Sequence, residues 1–210
     1  MKNSLKQLIN ELIEEGVLKS PSLIEAFSRI DRKDFVLEEL KEYAYSNQPL
    51  SIGYGQTISQ PLVVAFMLEL LEVKKGEKVL DIGSGSGWTT ALLAYLVGEK
   101  GKVFAIERIP ELKEFGENNI RKYNFIEKGR VKFYLKDGSL GLPEEAPFDK
   151  ILCSASLQSK KIIERWLKQL KDKGKIVTPY KEEILLIEKD KEEIKEKSFY
   201  GFSFVPLIEN

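Results

Sequence analysis

Three carboxylates and a run of glycines stand where they could hold a ligand. "VLDIGSGSGW" carries Asp81, Gly83, Gly85 and Gly87, and Glu107 follows twenty residues after the last of these glycines. A third acid, Asp137, precedes Gly138 in "YLKDG". Glycines let a backbone turn tightly and let a ligand approach it closely. A carboxylate at the next strand end, such as Glu107, can accept hydrogen bonds from both hydroxyls of a ribose. A second stretch, "IGYGQTISQP", gathers Gln56, Thr57, Ser59 and Gln60 around two glycines and is too polar for core. The chain has no histidine, which excludes Ser-His and Cys-His catalysis and any His-ligated metal.

Positioning these groups takes strands that end side by side. From Lys78 onward "KVLDIG", "KVFAIE", "RVKFYLKD", "FDKILCSA" and "GKIVTPY" read as short apolar strands. "SGWTTALLAYLVG", "IPELKEFGENNIRKY" and "SKKIIERWLKQL" read as helices between them. That alternation predicts a parallel sheet covered on both faces. "EEILLIEKD" and "SFYGFSFVPLI" predict an antiparallel hairpin at its edge, with a polar turn region between them. Ahead of the sheet, Leu5, Leu8, Ile9, Leu12 and Ile13 repeat at helical spacing, and a short helix is expected over 22–29. "DRKDFVLEELKEYAYSNQPL" reads as loop. "PLVVAFMLELLEV" reads as a buried helix, with Ser59 as its N-cap and Pro61 in its first turn.

The glycine spacing bears on the ligand. A dinucleotide fingerprint reads G-x-G-x-x-G, whereas this run reads G-x-G-x-G with Asp81 two residues before it. An acid there repels a pyrophosphate and attracts a cation bearing an ammonium and a sulfonium. S-adenosylmethionine (SAM) is such a ligand; a nicotinamide dinucleotide is disfavoured. The plain structural alternatives are a ligand-free glycine turn and a turn-forming Asp137–Gly138 pair.

The run resembles the first motif of class I SAM-dependent methyltransferases. Together with "YAYSNQPLSIGYGQTISQP", "GKVFAIERIPEL", "DGSLGLPEEAPFDKI" and the terminal "FVPL", the chain from about Phe27 onward is similar to the protein-L-isoaspartate (D-aspartate) O-methyltransferases. The resemblance implies an α/β, Rossmann-like class I methyltransferase fold. This has a mostly parallel seven-stranded sheet, an antiparallel C-terminal hairpin and an N-terminal helical extension. Residues 1–60 would form the helical and substrate-cap segment, and 61–210 the SAM-binding core of one compact domain. SAM is the implied cofactor, S-adenosylhomocysteine the product, and no metal takes part. Implied cofactor contacts are Gln56, Thr57, Ile58, Asp81, Gly83, Ser84, Gly85, Gly87, Glu107, Arg108, Asp137 and Gly138. Ser59 matches the family's active-site serine, and Ser59, Gln60, Ser154 and Ala155 would meet the substrate.

The implied reaction methylates the α-carboxylate of an isoaspartyl residue in a damaged protein. The ester closes to a succinimide, whose hydrolysis restores some aspartate. A carboxylate with a pKa of about 4 is ionised at neutral pH, so no histidine base is required. Ser59 would then orient the substrate rather than attack it, beside its reading as a helix cap. "CSASLQSKK" lacks the prolines the family carries there, and "YKEEILL" shortens a glycine-rich loop, so the peptide side is thinned. Two alternatives are a relative acting on another carboxylate or a small molecule, and a non-catalytic SAM-binding protein.

Composition bounds the rest. Thirty-three basic and thirty-three acidic residues leave no net charge, which removes the case for a general nucleic-acid binder. The lone Cys153 cannot form an intrachain disulfide and reads as a buried small residue. The N-terminal run mixes acids among apolar residues, unlike a signal peptide, and no apolar run approaches membrane length. A monomeric cytoplasmic protein acting on isoaspartyl proteins and peptides, with no membrane partner, is expected.

Overall fold

The computed structural model describes residues 4–208. Helix α1 (Leu5–Glu14) opens with a capping box: Gln7 N donates to Ser4 Oγ, and Ser4 N donates to Gln7 Oε1. Helix α2 (Pro21–Arg29) follows, then two 3-10 turns, Arg32–Phe35 and Glu38–Tyr43, in the stretch expected to be loop. Strands β1 (Leu50–Gly53) and β2 (Gln56–Ile58) form a small antiparallel hairpin ahead of α3 (Pro61–Leu71).

The alternating part forms β3 (Lys78–Ile82), α4 (Trp88–Val97), β4 (Lys102–Glu107), α5 (Pro110–Arg121), β5 (Val131–Leu135) and β6 (Phe148–Cys153). It continues through α6 (Lys161–Leu167), β7 (Leu170–Tyr180), β8 (Glu183–Asp190) and β9 (Glu193–Tyr200). The seven-stranded sheet runs β5-β4-β3-β6-β7-β8-β9, parallel from β5 to β7 and antiparallel beyond. This is the mostly parallel sheet with a C-terminal hairpin that the sequence predicts. The chain steps outward from β3 to β5, then returns to lay β6 on the other side of β3. That reversal opens a crevice at the carboxyl ends of β3 and β6, the usual ligand position in such sheets.

Alternation along β3 divides the core. Val79 joins the cluster that holds α1 to α4, while Leu80 and Ile82 join the one under α6. Asp81 therefore points to the α4 side. Three expectations shift. The last strand begins at Glu193, so much of the anticipated polar turn is strand and 201–208 is not. An edge strand exposed along nearly its whole length carries no apolar alternation to reveal it. Helix α6 stops at Leu167, and β7 starts early at Leu170. Finally, Ser59 is not the N-cap of α3. Gln60 holds that place without a side-chain bond, and Asn47 Oδ1 accepts from Leu62 N at 3.0 Å.

Candidate active site

The glycine turn is gripped from two sides. Gly83 N and Ser84 N both donate to Ile106 O of β4, at 2.9 and 3.1 Å. Gly87 has φ +84, and a Cβ there would lie 2.9 Å from Gly116 O of α5, so both the turn and the approach of α5 demand glycine. Asn119 Nδ2 of α5 donates to Ser86 O at 3.0 Å.

Glu107 ends β4 and is buried. Its Oε2 accepts from Gly85 N at 2.9 Å, and its Oε1 accepts from Arg108 N at 2.8 Å and Ile109 N at 3.0 Å. A carboxylate offers about four acceptor positions. The backbone takes three, so the group is fixed in place with room for a further donor such as a ribose hydroxyl.

Asp81 is completely buried. Its Oδ2 accepts from Thr90 Oγ1 of α4 at 2.6 Å, while Oδ1 has no partner among the described residues. Burial pushes its carboxyl up to about 7; the Thr90 bond opposes this and the Glu107 charge adds to it. Among the described residues, the buried side-chain atoms without partners also include Ser84 Oγ and Trp88 Nε1. Such atoms cost about 1–3 kcal/mol each when left unsatisfied. Three of them gathered at one glycine corner suit a polar ligand, and a cationic one beside Asp81, so these residues fit an adenosyl sulfonium cofactor.

The cleft at this corner is lined by Gln56, Thr57, Ile58 and Ser59 on one side and by Gly83, Ser84 and Gly85 below. Glu107, Arg108, Ser154 and Ala155, also foreseen from the sequence, line it as well. Asp81, fully buried, and Gly87 are not part of this lining. Gln60 lies outside it and lines a neighbouring groove instead. That groove runs over Pro49, Leu62, Val63 and 201–205, and shares Thr57, Ser59, Ser154 and Val205 with the cleft. Ser59 thus stands at the junction. Its hydroxyl makes no hydrogen bond among the described residues, while its carbonyl accepts from Arg32 Nη2 at 3.1 Å.

Asp137 and Gly138 do not line the cleft. Asp137 accepts from Ser139 N at 2.8 Å and caps a 3-10 turn, and a Cβ on Gly138 would lie 2.3 Å from Ile82 Cγ2. Sequence reasoning missed Trp88, Leu112 and the wall formed by 205–208. Ser156 N donates to Val205 O and Leu207 N to Ser156 O, both at 2.8 Å, and Arg108 Nη1 donates to Ile208 O at 3.1 Å. The "FVPL" run, which carries part of the family resemblance, is the available signal. Cys153 is fully buried, and burial pushes its thiol up to about 12, as its reading as a small core residue requires.

Comparison with known proteins agrees with this geometry. The family profile for protein-L-isoaspartate(D-aspartate) O-methyltransferase matches residues 3–210. A protein-L-isoaspartate O-methyltransferase of Ignicoccus hospitalis is 42% identical over 100% of this chain and 99% of its own. One of Fervidobacterium nodosum is 45% identical over 90% of this chain and 94% of its own. A Plasmodium falciparum protein of the same description, solved with S-adenosyl-L-homocysteine, superposes with a TM-score of 0.88. It is 26% identical and covers 99% of this chain and 100% of that one. The sheet order, the glycine corner and these full-length matches lead to one conclusion: the chain belongs to the protein-L-isoaspartate(D-aspartate) O-methyltransferase family.

Proposed function

We propose that this chain methylates the α-carboxylate of L-isoaspartyl residues in damaged proteins and peptides, using S-adenosylmethionine. One observation carries the reading beyond the family match. Ser59 stands at the junction of cleft and groove with its hydroxyl unengaged, because Asn47 supplies the helix cap. The cofactor, when bound, supplies an electrophilic methyl group on a sulfonium.

The chain's own residues do the rest. Glu107 holds the ribose, with Gly83, Ser84 and Gly85 as the floor and Gln56, Thr57, Ile58 and Arg108 closing the sides. Asp81 favours the cationic form of the ligand from behind. Ser59 donates to the substrate carboxylate and aims it, with Gln60, Ser154 and Ala155 beside it. The apolar walls from Ile58 and Leu207 exclude water from a reaction in which charge disperses. No proton is abstracted, which agrees with a site that has no imidazole. We also read the chain as a monomer of the cytoplasm; its one buried thiol suits a reducing compartment.

The test pairs peptides that differ only in aspartyl against isoaspartyl linkage, incubated with methyl-labelled SAM. Base-labile label on the isoaspartyl peptide alone is expected. Label on neither, with SAM bound, would refute the substrate assignment.

A further inference from the structure

Arg32 is an arginine of the first 3-10 turn whose side chain is completely buried, yet it meets no carboxylate among the described residues. Its guanidinium instead donates to four carbonyls. Nη1 reaches Ala44 O at 2.9 Å and Ser46 O at 3.2 Å. Nη2 reaches Gln48 O at 2.9 Å and Ser59 O at 3.1 Å. Its carbon also stands 5.4 Å from the ring centroid of Trp88, which lines the cofactor cleft.

Burying a cation without a counter-ion is costly, and burial draws this guanidinium below its ordinary value. An arginine still stays charged at neutral pH. A neutral core residue would fill the space without that cost, so its return must lie in what the four bonds hold. They gather the 44–48 loop and the exit of β2 onto one rigid planar fork. Asn47, whose side chain caps α3 in place of Ser59, sits between two of the gripped carbonyls.

We propose that Arg32 is a positioning residue: by clamping the Ser59 carbonyl to the 44–48 loop, it sets the Ser59 hydroxyl at the junction of cleft and groove. The inference rests on the methyl-transfer reading above. It assigns Arg32 no contact with either reactant; its effect passes through Ser59.

Lysine separates this from a purely structural role, because one ammonium keeps the charge but cannot span four carbonyls in a plane. Arg32→Lys is expected to lower kcat per folded molecule about 10- to 100-fold, the scale of a small misalignment. SAM affinity, measured by calorimetry, should stay within about twofold. Since the effect passes through Ser59, Arg32→Lys combined with Ser59→Ala should be no slower than Ser59→Ala alone by more than about twofold. Arg32→Gln, a second variant, should show the same pattern.

Four results overturn the proposal. An unchanged kcat per folded molecule makes Arg32 a stability element. Multiplied losses in the double variant disconnect it from Ser59. A loss confined to SAM affinity transfers its action to Trp88. Failure of both Arg32→Lys and Arg32→Gln to fold assigns it to folding. A wild-type chain that labels no isoaspartyl peptide would sink the activity and this inference together, whereas an active wild type with an indifferent Arg32→Lys sinks the inference alone.

Discussion

Replacing Asp81 by asparagine perturbs the glycine corner with the least change of shape. Thr90 Oγ1 can still donate to the new side-chain oxygen, but the titrating group is gone. In the folded chain burial raises the Asp81 carboxyl from 3.8 to about 7. Between those values the folded state holds a proton that the unfolded state has released. The cofactor-free protein is therefore most stable at the low end of this window, loses stability as pH rises, and levels off above about pH 8. From pH 6 to pH 8 a single group centred near 7 releases its proton over the equivalent of about one pH unit, so the loss is about 1.4 kcal/mol. For a domain of this size that is about 3–6 °C in Tm. The chain has no histidine to titrate in the same window, which leaves the comparison clean. Scanning calorimetry of cofactor-free wild type and Asp81→Asn at pH 6, 7 and 8 should show the wild type losing that much more. Parallel profiles for the two proteins would refute the account of a protonated buried carboxyl. In the same variant SAM binding should weaken by about 1–3 kcal/mol, the scale of a lost charged interaction.

Ser59→Ala should lower kcat about ten- to a thousandfold with SAM affinity nearly unchanged. It should cost little stability, because Asn47 rather than Ser59 meets the start of α3; a stable, fully active Ser59→Asp enzyme would contradict the orienting role. Gly87→Ala combines a positive φ with a Cβ 2.9 Å from Gly116 O. It should destabilise the fold by about 1–3 kcal/mol in urea titration and weaken SAM binding with it. Cys153 should resist alkylation in the native protein and react at once in denaturant, since its thiol is buried and pushed up to about 12; mass spectrometry reads the difference.

What could be read in the sequence was local. Strand, glycine turn, helix, strand and acid lie within thirty residues of one another, so β3, α4, β4 and Glu107 were legible from spacing alone. The contacts that escaped join distant segments. Nothing near Ser59 announces that Asn47, twelve residues upstream, takes over its cap. Asp137 and Gly138, in register with Asp81 and Glu107, read as cofactor contacts, yet the same Asp-Gly chemistry also builds a turn, and in the structure neither lines the cleft. The 205–208 wall depends on a parallel bridge between Ser156 and Pro206, which no local periodicity encodes. Arg32 lies in a stretch that reads as loop, and only its burial distinguishes it from the other charges there.

The cleft is walled on one side by residues 52–59 and on another by 205–208, two segments about 150 residues apart along the chain. Any molecule seated between them acts as a non-covalent crosslink, because it loses its own contacts whenever either segment peels away. Mass action then sets how firmly the later segment stays docked: a ligand at a hundred times its Kd adds about 2.7 kcal/mol against opening. The stretch after Gly201 should therefore be the first point of attack for a protease on the empty protein, and a resistant one when the cofactor pool is full. The concentration of the methyl donor would in this way reach the lifetime of the polypeptide as well as its turnover.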